Sequence, residues 1–315
     1  GCSTRKGSYV LGSHYVGGIA GGLSNDLEEA ITGADKESAG IQVTTNGGYV
    51  IGNRYVGGIV GKNDGSETTT IASCINNGIA AGYDRYIGGI VGYNGTNGVI
   101  RDCASYFSDY GGFVFQMIVE KWKAAGDCAG GLAGYNNGKV EFGGESQSIQ
   151  VKSVSSIVVG RNYVGGVIGF NDVDGMMEVA YTLIGGQIHG YGNAVGGCIG
   201  LNASEKILTK ELAIRPTGVT GNYYVGGCIG ANVVDIKKDT AMTQVKADNR
   251  LGSIVGNAFT GGVIGYQRTY TDEQLKAELE RENPGWIGQA GNGISGNGPS
   301  SQEVFGKDGS ILLLS

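Results

Sequence analysis

The stretch Gly52-Asn53-Arg54-Tyr55-Val56-Gly57-Gly58-Ile59-Val60-Gly61 decides the fold, because the chain repeats its frame. The frame is a glycine, variable positions that often include an aromatic residue, an apolar residue, Gly-Gly, two apolar residues and a glycine. The intervals between the Gly-Gly pairs are 40, 31, 42, 35, 31, 30 and 35 residues, which indicates an architecture of stacked repeats. The second glycines of the eight pairs are Gly18, Gly58, Gly89, Gly131, Gly166, Gly197, Gly227 and Gly262.

The composition is that of a folded chain. Glycine contributes 62 and proline 3 of the 315 residues, a share below that of low-complexity sequences. The net charge is −6 and no basic stripe occurs, so no nucleic-acid partner is expected. No apolar run is long enough to span a membrane. Because a repeat begins near residue 1 without a signal peptide, we expect residues 1–315 to be one repeat domain from a larger protein.

The segments between the Gly-Gly pairs indicate the type of repeat. Residues 70–82 have the pattern of a strand, an Asn-Asn-Gly turn and a short strand. The pattern Ile-x-x-Cys at Ile71–Cys74 recurs at Ile100–Cys103. Three short strands in about 30 residues suit a solenoid coil better than a propeller blade of about 40–45 residues. We therefore predict an all-β fold, a parallel β-solenoid (β-helix) of about eight to nine coils over residues 9–267.

In such a stack, equivalent side chains form ladders about 4.8 Å apart. Two consecutive apolar columns follow Gly-Gly, so either this strand is covered on both faces or the glycine pair bends the chain. The asparagine that ends most frames is expected to adopt a left-handed turn conformation and to bond to its neighbours along the axis. A polar ligand stripe is the alternative. These residues are Asn63, Asn94, Asn136, Asn171, Asn202 and Asn232, with Gln267 in the eighth frame.

The residues with reactive side chains give little support for catalysis or metal binding. Stacked cysteines, Cys74 with Cys103 and Cys198 with Cys228, are expected to be buried thiols, although their spacing is compatible with disulfides. The turns at residues 63–65 and 171–175 resemble calcium loops but lack the downstream glutamate. No catalytic, cofactor-binding or metal-binding residue is therefore predicted. The tyrosine column is expected to pack at the edge of the core rather than to bind a ligand: Tyr15, Tyr55, Tyr86, Tyr163 and Tyr224.

Three segments depart from the repeat. Residues 271–282 predict a helix, with Thr271 and Gln274 as a capping box, and residues 285–315 predict a last coil or cap. Residues 105–125 form an aromatic insertion in the longest interval between repeats. Local packing and partner binding both explain its aromatic content. The candidate partner-binding residues are Tyr106, Phe107, Tyr110, Phe113, Phe115 and Trp122.

The repeats also resemble a known family. Tyr86-Ile87-Gly88-Gly89-Ile90-Val91-Gly92-Tyr93-Asn94, followed by Val99-Ile100-x-x-Cys103, resembles the GLUG repeat of bacterial surface proteins, and residues 163–171 resemble it equally. Such repeats occur in large secreted or wall-attached proteins, including adhesin-like proteins and the extended regions of bacterial immunoglobulin A proteases. The resemblance implies an extracellular β-solenoid in a bacterium, on the cell surface or secreted, and it supplies no catalytic residue.

The function that follows is a non-catalytic, adhesin-like surface protein. Its expected partner is a host or neighbouring-cell surface protein, with glycoproteins and immunoglobulins as candidates, bound through insertions on a rigid solenoid. One alternative is a passive stalk or spacer within a larger surface protein or protease. A second alternative is a carbohydrate-active β-helix enzyme, because such solenoids can hold paired carboxylates.

Overall fold

The computed structural model describes residues 2–24, 39–42, 44–105, 113–116, 127–142, 153–154, 156–180, 183–210, 213–234 and 253–270. Within these ranges every regular element is a β-strand, and the strands assemble into stacked parallel sheets. The predicted parallel β-solenoid is thereby confirmed, and eight coils are present in this part of the chain. The predicted helix 271–282 and the last coil or cap, 285–315, lie outside the described residues.

Each coil passes through up to five sheets, which we label A to E in the order of the chain. Sheet A contains Ser3–Thr4, Thr45–Asn46, Ile75–Asn76 and Ala104–Ser105. Sheet B contains Tyr9–Leu11, Tyr49–Gly52, Ile79–Gly82, Phe113–Gln116, Ile157–Gly160, Leu183–Gly190, Ala213–Thr220 and Ser253–Val255, with Ser153–Val154 paired to the start of Leu183–Gly190. Sheet C contains His14–Gly17, Arg54–Gly57, Ile87–Gly88, Ala129–Gly130, Val164–Gly165, Val195–Gly196, Tyr223–Gly226 and Ala258–Gly261. Sheet D contains Ala20–Leu23, Val60–Asn63, Val91–Asn94, Ala133–Asn136, Ile168–Asn171, Ile199–Asn202, Ile229–Val234 and Ile264–Tyr270. Sheet E contains Ala39–Gln42, Thr69–Ala72, Gly98–Arg101, Lys139–Phe142, Met176–Ala180 and Ile207–Lys210.

We number the coils from 1 to 8 along the chain. Coil 2, for example, runs from Thr45–Asn46 in sheet A to Thr69–Ala72 in sheet E. The prediction of three strands per coil was wrong, because this coil contains five. Sheets A and B are separated by a turn in coils 1–4 but merge into the single strand Leu183–Gly190 in coil 6. A strand of two residues such as Thr45–Asn46 is too short to show a periodic pattern in the sequence.

The Gly-Gly pair lies at the bend between sheets C and D. Strand Arg54–Gly57 ends at the first glycine, and Val60–Asn63 starts two residues after the second. A methyl group on Gly57 would clash with the Val60 carbonyl oxygen and would lie 2.7 Å from the Ile90 carbonyl oxygen of the next coil. Of the two explanations for the paired apolar columns, the bend is therefore the correct one.

The core is divided into three clusters. The first lies behind the Gly-Gly bend, between sheets D and E, and includes Ile59, Val60 and Ile71. The second contains inward side chains of sheets B and C, such as Val50 and Val56. The third is the aromatic cluster, which contains the tyrosine column and residues of sheet D. Both apolar columns after Gly-Gly belong to the first cluster, because the bend turns consecutive side chains toward the same interior.

The aromatic insertion 105–125 contains an ordinary coil strand. Phe113–Gln116 pairs with Ile79–Gly82 on one side and Ile157–Gly160 on the other. The connection that precedes it has seven residues, 106–112, where coil 3 uses the two residues 77–78. The connection that follows has twelve, 117–128, where coil 3 uses the four residues 83–86. The extra length therefore flanks a regular strand.

Candidate functional site

The asparagines that end the frames form one continuous ladder inside the solenoid. Each side-chain Nδ2 donates to the side-chain oxygen of the next coil. The distance is 2.9 Å from Asn63 to Asn94 and 2.8 Å from Asn232 to Gln267. The six asparagines are fully buried. The axial amide ladder predicted from the sequence is therefore confirmed, and its burial leaves no polar stripe open to a ligand.

A second polar ladder in sheet A was not predicted. Thr4 donates to Asn46, and Asn46 Nδ2 donates to Asn76 Oδ1 at 2.8 Å. Ser156 Oγ donates to Ser105 Oγ at 2.7 Å further along the same column. The residue type changes from threonine to asparagine to serine along the ladder, so no single repeated residue marks it in the sequence. Only the register of the two-residue strands brings these side chains together.

The tyrosine column is where the left-handed turn conformation occurs. The expectation that the ladder asparagines adopt it was wrong: Tyr55 has φ 56° and Tyr163 has φ 52°, and no ladder asparagine in the described chain has a positive φ. The column packs inside the aromatic cluster in coils 2–7, and at its start the exposed Tyr15 ring stacks on Tyr55 at 4.8 Å. Tyr163 and Tyr224 are buried, as expected for a structural role. The same column in the other coils contains Tyr86, Cys128, Ala194 and Phe259, all with positive φ.

Two of the six candidate partner-binding residues lie in sheet B. Phe113 is in register with Ile79 and Ile157, and Phe115 is in register with Ala81 and Val159. The residue between them, Val114, is buried in the core. Because side chains alternate along a strand, these two register columns belong to the outer face of sheet B. Tyr106, Phe107, Tyr110 and Trp122 lie outside the described residues.

The outer face of sheet B consists of apolar residues by register through coils 1–5 and mostly of polar residues or glycine beyond them, with Val255 as an exception. The first column reads Tyr9, Tyr49, Ile79, Phe113, Ile157 and then Gln187, Gly218, Ser253. The second reads Leu11, Ile51, Ala81, Phe115, Val159 and then His189, Thr220, Val255. Tyr9 and Leu11 are exposed, and Tyr49, Ile79 and Ile157 are half-buried. Ala81 is buried, but the exposed and half-buried apolar side chains of coils 1–3 and 5 are unusual for the outer face of a solvated sheet.

The outer face of sheet E has the opposite character. Lys139 Nζ lies 2.5 Å from Glu141 and 2.9 Å from Glu178 in the next coil. Burial raises the pKa of Glu141, but hydrogen bonds from Lys139 and Arg101 outweigh it and hold the pKa below its usual value. These charges are in contact with solvent and satisfy each other. Sheet E is therefore a solvated face, which makes the uncharged face of sheet B distinctive.

A further polar group lies at the corner between sheets B and C. Asp127 accepts a hydrogen bond from Asn162 Nδ2 at 2.8 Å. Burial raises the pKa of Asp127 to about 6, although the hydrogen bond from Asn162 and the charges of Arg161 and Arg85 lower it. The carboxylate accepts this hydrogen bond from the neighbouring coil, and within the described ranges it belongs to no group of three His, Cys, Asp or Glu side chains that could hold a metal ion.

The calcium-like turns are occupied by bonds within the protein. Asp172 accepts hydrogen bonds from the Tyr135 hydroxyl and from the Val173 N–H, the latter at 2.8 Å. Asp174 pairs with Lys206 at 3.2 Å. Among the described residues no three His, Cys, Asp or Glu side chains converge on a point that could hold a metal ion. All six cysteines are thiols, and every one except Cys2 is buried.

Comparison with known proteins identifies the repeat. Residues 83–105 match the family model described as the GLUG motif. Comparisons with curated proteins and with solved structures give no match. The described residues contain no helix that is long and apolar enough to cross a membrane. The matched residues include the Gly88-Gly89 bend, the Asn94 rung of the amide ladder and Cys103, and each has a counterpart in register in the neighbouring coils. The chain therefore contains a GLUG motif, and the matched residues form part of one turn of a parallel β-solenoid.

Proposed function

We propose that this chain is a non-catalytic, extracellular, adhesin-like scaffold of a bacterial surface or secreted protein. The GLUG motif is consistent with a surface or secreted repeat protein. The scaffold binds a host or neighbouring-cell protein, and the observation that carries this proposal is the apolar outer face of sheet B in coils 1–5. Phe113 and Phe115, which the sequence singles out, occupy the centre of that face by register.

The rest of the described molecule supports a scaffold rather than an enzyme. Its asparagines bond to each other, its acidic turn residues bond to tyrosine, backbone or lysine, and its tyrosine column packs inside. Each of these groups therefore has a structural role. A rigid column that keeps an apolar face at a fixed orientation suits recognition of a protein surface.

The test begins with capture of host serum and mucosal proteins on the immobilised chain, followed by affinity measurement for each identified partner. The variants Ile79→Thr and Ile157→Thr make the outer face of sheet B polar while keeping β-branched side chains. Val99→Thr makes the same change on the outer face of sheet E and serves as the control. We expect a chain with both Ile79→Thr and Ile157→Thr to bind at least tenfold more weakly than the unchanged chain, and Val99→Thr to bind as tightly as the unchanged chain. Equal affinities of the unchanged chain, the double variant and Val99→Thr would show that sheet B is not in the interface.

The connections around Phe113–Gln116 need a separate variant. Replacing residues 106–112 by the two-residue Asn-Gly connection of coil 3 removes candidate residues without deleting the strand. Loss of binding with an unchanged fold would place the contact in that connection. Unchanged binding would leave the outer face of sheet B as the interface.

A passive spacer is the second candidate, favoured by the continuous amide ladder along the axis. A spacer has no partner of its own. The spacer would therefore be favoured if this chain bound no host protein while the larger parent protein did. A carbohydrate-active enzyme would instead release product from a glycan in an activity screen. The scaffold proposal predicts that no glycan is cleaved.

A further inference from the structure

Two cysteines occupy the same corner of successive coils. Cys74 follows the sheet E strand Thr69–Ala72, and Cys103 follows Gly98–Arg101 one coil later. Each is preceded by a residue in the left-handed conformation, Ser73 at φ 53° or Asp102 at φ 52°. The repeated turn therefore places the two side chains one above the other at the corner between sheets E and A.

The contacts of Cys103 show that its thiol leans toward Cys74. Its Sγ lies 3.4 Å from the Cys74 backbone nitrogen, whose N–H donates to it, and 3.3 Å from the carbonyl oxygen of Ile71. Both partners belong to the preceding turn of the solenoid. Stacked Cα atoms about 4.8 Å apart lie within the range of disulfides, about 4.4–6.8 Å. Cys74 Sγ likewise lies 3.6 Å from the Ile41 carbonyl oxygen of the coil before it, so the two thiols lean in the same direction and Cys103 Sγ lies against Cys74.

The corner also favours reaction of Cys74. The hydrogen bond from Cys103 is the main cause that lowers the pKa of Cys74 to about 7, although burial opposes it. A lower pKa increases the share of the thiolate, which is the form that attacks a disulfide. The thiol is buried, but its neighbour Ser73 is exposed, so a local opening of this corner brings it to solvent.

We propose that Cys74 and Cys103 are an oxidation site that closes into an inter-coil disulfide by exchange with a small disulfide such as oxidised glutathione. The Cys74 thiolate attacks one glutathione sulfur, its S–S bond breaks and one glutathione thiolate leaves. The Cys103 thiolate then attacks Cys74 Sγ in the mixed disulfide and releases the second glutathione thiolate. Two cysteine thiols lose two protons and two electrons, and one oxidised glutathione becomes two reduced molecules.

A second stacked pair in the same chain provides the contrast. Cys198 and Cys228 follow the Gly-Gly bend in successive coils, inside the cluster between sheets D and E. The hydrogen bond with Cys228, together with burial, raises the pKa of Cys198 well above its usual value. Cys198 Sγ packs 3.9 Å from Met177 Sδ, away from any exposed corner. We expect Cys198 and Cys228 to stay reduced under conditions that oxidise Cys74 and Cys103. This expectation does not depend on the proposed binding function.

The experiment uses the full chain with Cys2→Ser, which removes the one exposed thiol. The folded chain is incubated with a mixture of oxidised and reduced glutathione, and its disulfides are mapped by mass spectrometry of peptides. We expect a Cys74–Cys103 disulfide, unreacted Cys198 and Cys228, and a higher midpoint of thermal unfolding that a reductant reverses. With Cys103→Ser, Cys74 should stop at the mixed disulfide with glutathione. Unmodified Cys74 and Cys103, glutathione retained on Cys74 beside an intact Cys103, or equally fast oxidation of Cys198 and Cys228 would each overturn the proposal.

Discussion

At the scale of a single residue, Asn136 shows how one side chain joins three coils. Its Nδ2 donates to Asn171 Oδ1 at 2.8 Å, and its Oδ1 accepts from Asn94 Nδ2 at 2.9 Å. An amide is suited to this position because it has donors and an acceptor without a charge that burial would penalise. The frame therefore repeats asparagine rather than aspartate at this position.

Asn136→Leu interrupts the ladder with an apolar side chain that branches at the same carbon. It removes the donor to Asn171 Oδ1, a buried acceptor that water cannot reach. We therefore expect the free energy of unfolding to fall by about 2–3 kcal/mol. Chemical denaturation measures the change. Gln267→Leu, at the exposed end of the ladder, should cost less than about 1 kcal/mol. Equal costs at the two positions would contradict the ladder as a source of stability.

Asp127 gives a prediction with a pH dependence. Its pKa is raised to about 6 in the folded chain from an unfolded value of 3.8, so its ionised form destabilises the fold above pH 6. Asp127→Asn can keep the bond from Asn162 without the charge, and we expect it to stabilise the chain by about 2 kcal/mol at pH 7.5. The difference should shrink as the pH falls through 6 and vanish below about pH 4.

Denaturation of Asp127→Asn and of the unchanged chain across this pH range measures the difference. Other groups, such as Glu141 with its lowered pKa, act equally in both chains and cancel. A difference that is constant with pH would exclude titration of Asp127 as the cause.

At the scale of the element, the sequence predicted the columns that repeat one residue type. The Gly-Gly pairs, the apolar residues after them and the ladder asparagines gave the period, the parallel stacking and the axial hydrogen bonds. These residue types recur at fixed positions of the frame because each coil presents the same surface to the next coil. The two cysteine pairs were also correctly expected to be buried thiols.

The features that the sequence did not reveal depend on backbone conformation. A left-handed residue is normally glycine or asparagine, and nothing local marks Tyr86 at φ 62°. The surrounding aromatic cluster stabilises that conformation, so it is a property of the stack. The outer face of sheet B was missed for a related reason: a run such as Phe113–Gln116 is read as an insertion until its register with Ile79 is known.

Gly57→Ala tests the bend between sheets C and D. The added methyl group would clash with the Val60 carbonyl oxygen inside a fully buried turn, so we expect a loss of more than about 3 kcal/mol, or failure to fold. Gly22→Ala, on the exposed strand of sheet D in coil 1, is the matched control. There the methyl group meets nothing closer than the Lys62 carbonyl oxygen at 3.9 Å, and circular dichroism and denaturation should show little change. Tolerance of Gly57→Ala would mean that the coils are not packed as closely as described.

At the scale of the whole molecule, the side chains that hold the coils together lie inside the solenoid, and the proposed binding surface lies outside it. The amide ladders, the Gly-Gly bends and the aromatic cluster connect each coil to the next, and they leave few inward groups for chemistry. The outer faces differ from one another: sheet E carries ion pairs and sheet B an apolar stripe over coils 1–5. We therefore propose that a partner contacts the outer face of sheet B, whereas the inward side chains hold the coils together.

Distances between spin labels on equivalent exposed residues test that axis most directly. In a background with Cys2, Cys74 and Cys103 each changed to Ser, labels replace Asn53 in coil 2 together with either Ser13 in coil 1 or Asn257 in coil 8. With about 4.8 Å per coil, the labelled backbone positions should lie about 5 Å apart in the first pair and about 29 Å apart in the second. Narrow distributions at separations that grow linearly with the number of coils are the predicted result. A broad distribution, or a separation between Asn53 and Asn257 that does not match six stacked coils, would contradict the solenoid.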